Sequence, residues 1–321
     1  MTENILIQPE TELQFPWNSQ RRYNAYVGYL KERFGGRLQK VSVDAGFTCP
    51  NRDGSKAFGG CTYCNNVSFV PPYCKPGMSI AQQVESGIEF MSRRYKVSQF
   101  MVYFQAYSNT YAPLDYLKGL YKQALAHPQV KGITIGTRPD CVDEEKIAYF
   151  EELAKETYVS IEYGLESIYD RSLEQLNRGH TVQEWIDAVE MTANRGIHLC
   201  THLILGLPGE THEDMLKAAE FVSQQPINAI KLHHLHIVKK TQLAVQYSRE
   251  PFPVFEYDEY VDLVVEFLQR LRPDIQIQRL VGETHPEHLV APIWNVRASD
   301  VQQEIEKRMQ ERDVWQGKKY R

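Results

Sequence analysis

The sequence predicts an α/β fold: a parallel sheet curled into a partial (β/α)6 TIM-like barrel, with an N-terminal helix and a C-terminal helical extension. Three observations predict it. Short apolar runs alternate with amphipathic stretches between Leu38 and Val238, a rhythm that implies right-handed crossovers and a parallel sheet. The strand-like runs number six, fewer than a closed barrel needs. Polar and glycine-rich segments follow those runs, at the strand ends where such barrels place their chemistry.

The elements follow in order. Asn18 to Phe34 reads as a helix with Tyr23, Tyr26, Val27 and Leu30 along one side, stopped by Gly35-Gly36. Leu38 to Val43 alternates as the first strand. Ser79 and Gln82 form a capping-box pattern that opens a helix reaching Tyr95. Gln99 to Phe104 is the second strand, and Pro113 suits the first turn of the helix after it. Gly132 to Gly136 is the third strand, followed by a helix over Asp143 to Lys155. Tyr158 to Tyr163 is the fourth, with helical segments across Ile168 to Asn194. Ile197 to Leu205 is the fifth, with a helix over Glu213 to Ser223, and Ala229 to Val238 is the sixth. Beyond Thr241 the pattern gives a helix over Tyr257 to Leu271, an irregular stretch from Gly282 to Pro292 and a last helix over Ala298 to Val314. The chain divides into an N-terminal helical extension (1–36), the partial barrel (37–240) and a C-terminal extension completing the substrate side (241–321). A barrel short of strands leaves a wide lateral opening, which suits a large substrate.

Composition narrows the setting. No apolar run is long enough to cross a membrane, and Met1 to Phe15 lacks the basic-then-apolar pattern of an export signal. A reducing cytoplasm is the expected location. The net charge of −5 argues against a surface coated in positive charge. One local exception runs from Gln20 to Lys40, where Arg21, Arg22, Lys31, Arg33, Arg37 and Lys40 face Glu32 alone. Such a segment is either a solvated face or a phosphate-binding one. The interleaved Tyr23, Tyr26, Tyr29 and Phe34 recur near helical spacing and read as core packing.

Three cysteines, Cys49, Cys61 and Cys64, follow the first strand in a C-x11-C-x2-C pattern. A cubane iron–sulfur cluster takes four thiolates, one per iron. Held by three, it leaves one iron open to a small molecule, as binding and reductive cleavage of S-adenosylmethionine require. A structural zinc site is the alternative, and it needs a fourth ligand from Cys74 or a histidine. A disulfide framework does not suit six cysteines in 321 residues.

The strand ends gather polar residues on the side of the cysteines. The second strand leads into Gln105, Tyr107, Ser108, Asn109 and Thr110, the third into Arg138, Pro139 and Asp140, and the fourth into Glu166 and Ser167. The fifth leads into Gly206-Leu-Pro-Gly209, and the sixth carries His233, His234 and His236. Each has an ordinary structural reading, as turn, helix cap or satisfied core polar group. Together they indicate a shared site.

These residues resemble the radical S-adenosylmethionine superfamily and, within it, the branch that includes the catalytic subunit of Elongator. The resemblance rests on Cys49…Cys61-x2-Cys64, Thr134 to Asp140, Gly164 to Asp170, Leu176 to Thr181 and Gly206 to Gly209. Arg279 to Pro286 and Leu289 to Trp294 add a likeness to a bacterial group of YhcC/YtqA type. It spans roughly residues 20 to 295. The wide first cysteine gap departs from the superfamily's commonest spacing but is typical of this branch. The resemblance implies a [4Fe-4S] cluster on Cys49, Cys61 and Cys64, S-adenosyl-L-methionine on its open iron, and a 5′-deoxyadenosyl radical as the reactive species. It places Arg178 at the methionyl carboxylate, Glu166 and Ser167 at the ribose, and Gly206 and Leu235 at the adenine. The superfamily's Gly-Gly-Glu is absent; Gln105, Tyr107 and Ser108 occupy its place. Tyr103, Tyr107, Tyr111 and Cys141 are candidates to relay a radical or proton, or to serve as packing, and Tyr107, Cys141 and His233 are the catalytic candidates.

The branch implies a transfer RNA substrate modified at its wobble uridine, with a 5-carboxymethylaminomethyl group remodelled towards 5-aminomethyl. A flavodoxin- or ferredoxin-type protein is the implied electron donor. Too few residues follow for an acetyltransferase domain of the Elongator kind. The alternatives are a radical enzyme for a small metabolite or peptide, to which the three histidines would be suited, and a zinc-stabilised binding protein.

Overall fold

Each of the first five strand-forming runs is followed by a helix that returns the chain across the sheet, and parallel pairing results. The computed structural model describes residues 15–65 and 71–321. Residues 1–14, where the export pattern is missing from the sequence, lie outside the described residues.

The sheet runs β1 (Gln39–Val43), β2 (Phe100–Phe104), β3 (Val130–Thr137), β4 (Tyr158–Glu166), β5 (His198–Leu205), β6 (Ala229–His234) and β8 (Gln276–Arg279), each beside the next. Every pairing is parallel. A separate antiparallel pair joins β7 (Ile237–Val238) to β9 (Leu289–Ala291). The helices are α1 (Tyr26–Phe34), α2 (Ile80–Arg94), α3 (Leu114–Leu125), α4 (Glu144–Glu156), α5 (Asp170–Gln175), α6 (Val182–Thr192), α7 (His212–Ser223), α8 (Gln242–Arg249), α9 (Tyr257–Arg270) and α10 (Ala298–Glu311). The sheet curls into a half-barrel. Although β1 and β8 are its opposite edges, Lys40 Nζ of the first donates to Gln278 Oε1 of the second at 3.1 Å.

Five sequence expectations shift. The first helix begins at Tyr26, not Asn18. Asn18 sits in the left-handed region at φ 51°, and the backbone of Ala25 is spent on a parallel bridge to Ile277. That bridge and Lys40 span the seam between β1 and β8, so the lateral gap is narrower than a count of strands suggests. The sixth strand ends at His234, with Leu235 N–H making the last bond to β5, to the Leu205 carbonyl at 2.8 Å, before β7 begins at Ile237. A seventh sheet strand, β8, arises from Gln-Ile-Gln-Arg, whose one apolar residue gave no strand pattern. Pro113 stands at the N-cap of α3 rather than in its first turn.

Helix starts are satisfied by side chains, as the sequence suggests at Ser79. Ser79, Thr181 and Thr211 each close a capping box, and Asp143 accepts from Lys146 N–H. The core lies between the outer face of the sheet and the helices. All nine residues of β4 are buried, as a central strand covered on both faces must be. Phe150 of α4 is fully buried and packs on Tyr121 of α3 with ring centroids 5.6 Å apart. Phe150→Ala should therefore lower stability by about 3–5 kcal/mol. Val27→Ala, on the exposed side of α1, should change it by less than about 0.5 kcal/mol. Urea unfolding of both variants checks the placement, and equal effects would contradict it.

Candidate active site

The ends of β1 to β6 open on one cavity of about 240 Å³. Cys49, Cys61 and Cys64 line it together with Gln105, Tyr107, Ser108, Glu166, Arg178, His233 and Leu235. The topology thus brings together residues separated by more than half the chain.

The cysteine loop is shaped by tight turns. Arg52 N–H bonds the Cys49 carbonyl at 2.8 Å, and Cys64 N–H bonds the Cys61 carbonyl at 3.0 Å. Donors face the sulfurs. Asn51 Nδ2 and Arg178 Nη1 each lie 3.7 Å from Cys61 Sγ, and Ser108 Oγ lies 3.9 Å from Cys49 Sγ. Burial, reinforced by neighbouring Cys61, pushes the Cys64 thiol up to about 11, so a positive charge at the sulfur is what would deprotonate it. Among the described residues, the ligand-type side chains gathered tightly enough for a single ion are Glu162, Cys200 and His202. The three cysteines are not so gathered, and Cys74 lines a different cavity beside Asp44 and Ser79. The donor set therefore suits a cluster wider than one zinc ion.

The Thr-Arg-Pro-Asp segment after β3 fastens this loop. Arg138 is buried and holds Asp140 through both carboxylate oxygens, at 2.8 and 2.7 Å. Its Nη1 also donates to the Arg178 carbonyl. Asp140 in turn accepts Lys56 Nζ of the cysteine loop at 2.7 Å, and Lys56 reaches Glu184 at 3.1 Å. Burial alone would raise the Asp140 carboxyl, but Arg138 and Lys56 bring it down to about 2.

Arg178 comes from the α5–α6 connection. Its Nη2 donates to the Gly164 carbonyl at 3.0 Å and lies 3.3 Å from Glu166 Oε1. Its Nε is buried without a partner among the described residues. A side chain at Gly164 would stand 2.4 Å from both Arg178 Nη2 and Glu166 Oε1, so any larger residue there would displace these two charged ends. The open donor on a guanidinium fork fits a carboxylate acceptor. Leu235, with Ile204, supplies an apolar wall. Tyr107 and Glu166 hold left-handed backbones at φ 64° and 69°, strain of about 1–3 kcal/mol each that active sites characteristically store.

Four of the named candidates stand away from the cavity lining. Ser167 Oγ donates to Glu210 Oε1 at 2.5 Å. Gly206 faces Phe255, whose ring would lie 2.6 Å from an added Cβ. Cys141 is buried against Asp140, and burial pushes its thiol up to about 12. Tyr111 bonds Ser55 of the cysteine loop at 2.9 Å.

The floor of the cavity was not foreseen. Glu162 is fully buried and takes Tyr103 OH at 2.7 Å, His202 Nε2 at 3.0 Å, Lys40 Nζ at 3.1 Å and Lys231 Nζ. Burial opposes its charge, but Lys231 and Lys40 hold its carboxyl well below the usual range. Burial lowers Lys231 to about 7 against the pull of Glu162. Of the three histidines, His234 and His236 form a packing pair rather than a cationic one, and His233 lines the cavity. His234 and His236 approach Nε2 to Nε2 at 2.7 Å, His236 bonds Thr284 at 2.7 Å, and His234 stacks on Trp294 at 4.2 Å. Burial lowers all three, His236 to about 4. A charged residue at an inward position of an otherwise apolar strand, such as Glu162 or Lys231, was the available signal.

The basic segment also disperses. Arg21 lies 3.6 Å from Glu306, Arg22 is 2.9 Å from Asp313, Arg33 covers the Tyr158 ring at 5.1 Å, and Lys40 enters the barrel.

A half-barrel of parallel strands with an open-ended cysteine triad at its C-terminal face is the framework of a radical enzyme that cleaves S-adenosylmethionine. The chain belongs to the radical SAM superfamily, in its Elongator-like branch: that superfamily's profile matches residues 49–222, and the Radical_SAM C-terminal domain matches residues 227–311. YtqA of Bacillus subtilis is 34% identical over 95% of each chain. YhcC of Escherichia coli K12 is 33% identical over 86% of this chain and 88% of its own. The tRNA uridine(34) acetyltransferase of Methanocaldococcus jannaschii is 26% identical over 135 residues, 41% of this chain and 24% of its own. Among solved structures, Elp3 of Methanocaldococcus infernus with residues 1–46 deleted superposes with a TM-score of 0.62 at 15% identity, over 87% of this chain and 64% of that one. The protein is a radical SAM enzyme with a [4Fe-4S] cluster and S-adenosyl-L-methionine as cofactors. No helix among the described residues is long and apolar enough to cross a membrane.

Asp140→Asn should cost about 3–5 kcal/mol, because it leaves Arg138 buried and unpaired. The folded-state value of Asp140 lies below its unfolded one, so its contribution is whole above about pH 4 and is lost as pH falls through about 2. The gap between wild type and variant should be flat from about pH 5 to about pH 8. Urea unfolding across that range tests this; a gap under about 0.5 kcal/mol would contradict the role of Asp140.

Proposed function

We propose that the enzyme modifies the wobble uridine of transfer RNA, removing the carboxymethyl part of a 5-carboxymethylaminomethyl group to leave 5-aminomethyl-uridine. The observation that carries this reading is the shared core with proteins named for uridine-34 chemistry on transfer RNA. That match covers 24% of the Methanocaldococcus jannaschii protein, so acetyl transfer is not carried over with it. The cavity supports the reading by joining the cysteine triad to a polar, cation-bearing floor in one space.

In this reading Cys49, Cys61 and Cys64 hold the cluster, and the Arg178 fork takes the carboxylate of S-adenosylmethionine. Gln105, Tyr107 and Ser108 stand beside its amine, Glu166 beside the ribose, and Ile204 and Leu235 against the adenine. The bound cofactors supply hydrogen abstraction from a carbon that is not acidic. The protein's part is to orient that carbon and exclude water. The carbon is the methylene between the amine and the carboxylate; its two-electron oxidation, one electron leaving with the abstracted hydrogen and the second to an external electron-acceptor protein, would give an imine that water then splits into the aminomethyl group and glyoxylate. Tyr107 and His233 reach the cavity and can hold a proton there; Cys141 acts behind Asp140, on packing. A flavodoxin- or ferredoxin-type protein delivers the electron, and the cytoplasm is the compartment.

Nucleoside mass spectrometry of transfer RNA from cells lacking the gene tests this. Accumulation of 5-carboxymethylaminomethyl-uridine is expected, reversed by the intact gene and not by Cys64→Ala. An unchanged profile in cells that make this modification would overturn the reading in favour of a small anionic metabolite or a peptide.

A further inference from the structure

The seam between β1 and β8 holds a second cavity, of about 360 Å³. It adjoins the cysteine cavity, because Tyr103, Gln105, Lys231 and Arg279 line both. Its charged lining consists of Arg21, Lys40, Lys231 and Arg279, with no carboxylate among the described lining residues. Two carboxylates stand behind these cations: Glu162 on Lys40 and Lys231, and Glu306 at 3.6 Å from Arg21. A positive surplus remains whether Lys231 is charged or neutral, in a chain whose net charge is −5.

Two donors of this seam are unused. The Arg279 guanidinium has no hydrogen bond or ion pair among the described residues. Gln278 accepts Lys40 Nζ on its Oε1, which fixes the amide orientation, and its Nε2 is buried without a partner. Neighbouring residues of a regular strand face opposite ways. Here the β6–β8 register shifts, with Ile230 beside Ile277 and Lys231 beside Arg279. The extra residue, Gln278, lets both donors line one cavity, which is the use of a bulge.

We propose that this seam is the subsite for the substrate's anionic group, an oxyanion received by Arg279 and by the free amide of Gln278, with the attached carbon entering the cysteine cavity. A guanidinium and an amide N–H match carboxylate and phosphate oxygens alike. The proposal takes the identity of the substrate from the wobble-uridine reading. The oxyanion is then the side-chain carboxylate or a phosphate of the same transfer RNA.

The test uses cluster-reconstituted wild type, Arg279→Gln and Arg279→Lys, and one transfer RNA in two forms, with 5-carboxymethylaminomethyl-uridine or plain uridine at the wobble position. Arg279→Gln should weaken binding of the modified form about 10- to 100-fold and that of the plain form less than about 3-fold, with partial recovery in Arg279→Lys. Equal weakening of both forms, with the salt slope reduced by about 1, assigns the anion to phosphate and sustains the subsite. Equal weakening with an unchanged slope, or no weakening, overturns it. If wild type binds neither form, the wobble-uridine reading fails on its own. The subsite is then decided by malonate: thermal stabilisation of wild type that Arg279→Gln loses sustains it, and absence of stabilisation overturns it.

Discussion

The carbonyl oxygen of Arg178 joins the loops on which the site depends. It accepts Asn51 Nδ2 of the cysteine loop at 2.7 Å and Arg138 Nη1 from the end of β3. The same residue sends its side chain to Cys61 Sγ and to the Gly164 carbonyl of β4. One residue therefore sets the cysteine loop relative to two strand ends. The arrangement leaves no space for a side chain at Gly179, where an added Cβ would stand 2.2 Å from Asn51 Oδ1. Gly179 also holds φ 72°, a conformation that favours glycine. Because these groups are buried, an incomplete network would cost more than the bonds it lost.

Below this joint the barrel interior is charged rather than apolar. Burying Glu162 among Lys40, Lys231, His202 and Tyr103 adds little net stability, since desolvation consumes most of the Coulombic gain. A fold seeking stability alone would fill such a space with aliphatic side chains. Retaining charge there fits a cavity built to meet a polar ligand, and Glu162 serves to hold the cations in place. The outer face carries the opposite burden: Val41, Val102, Ile133, Ile161 and Ile230 are fully buried against the helices and supply the hydrophobic stabilisation.

The barrel was legible because its signal is local. Periodic apolar residues, the capping box at Ser79 and the helix stop at Gly35 each act within a few residues. β8 was not legible, since four residues with one apolar side chain become a strand only through β6 and the Ala25 bridge. The cysteines, Arg178 and Glu166 were found because spacing and motif mark them, and they share the cavity. Ser167 and Gly206 carried the same marks, yet Glu210 and Phe255 occupy their side of the chain. The cationic floor was hidden because Lys40, Glu162, Lys231 and Arg279 belong to four strands, and only the curl of the sheet brings them together.

The central claim is that three cysteines, held by the Arg178 joint and without Cys74, carry a cluster with one open iron. Low-temperature electron paramagnetic resonance of the anaerobically reconstituted, reduced protein tests it most directly. The account predicts a [4Fe-4S] signal that shifts when S-adenosylmethionine is added, in wild type and in Cys74→Ser alike. A protein that takes up one zinc and no iron, or a cluster signal that S-adenosylmethionine leaves unchanged, would contradict it.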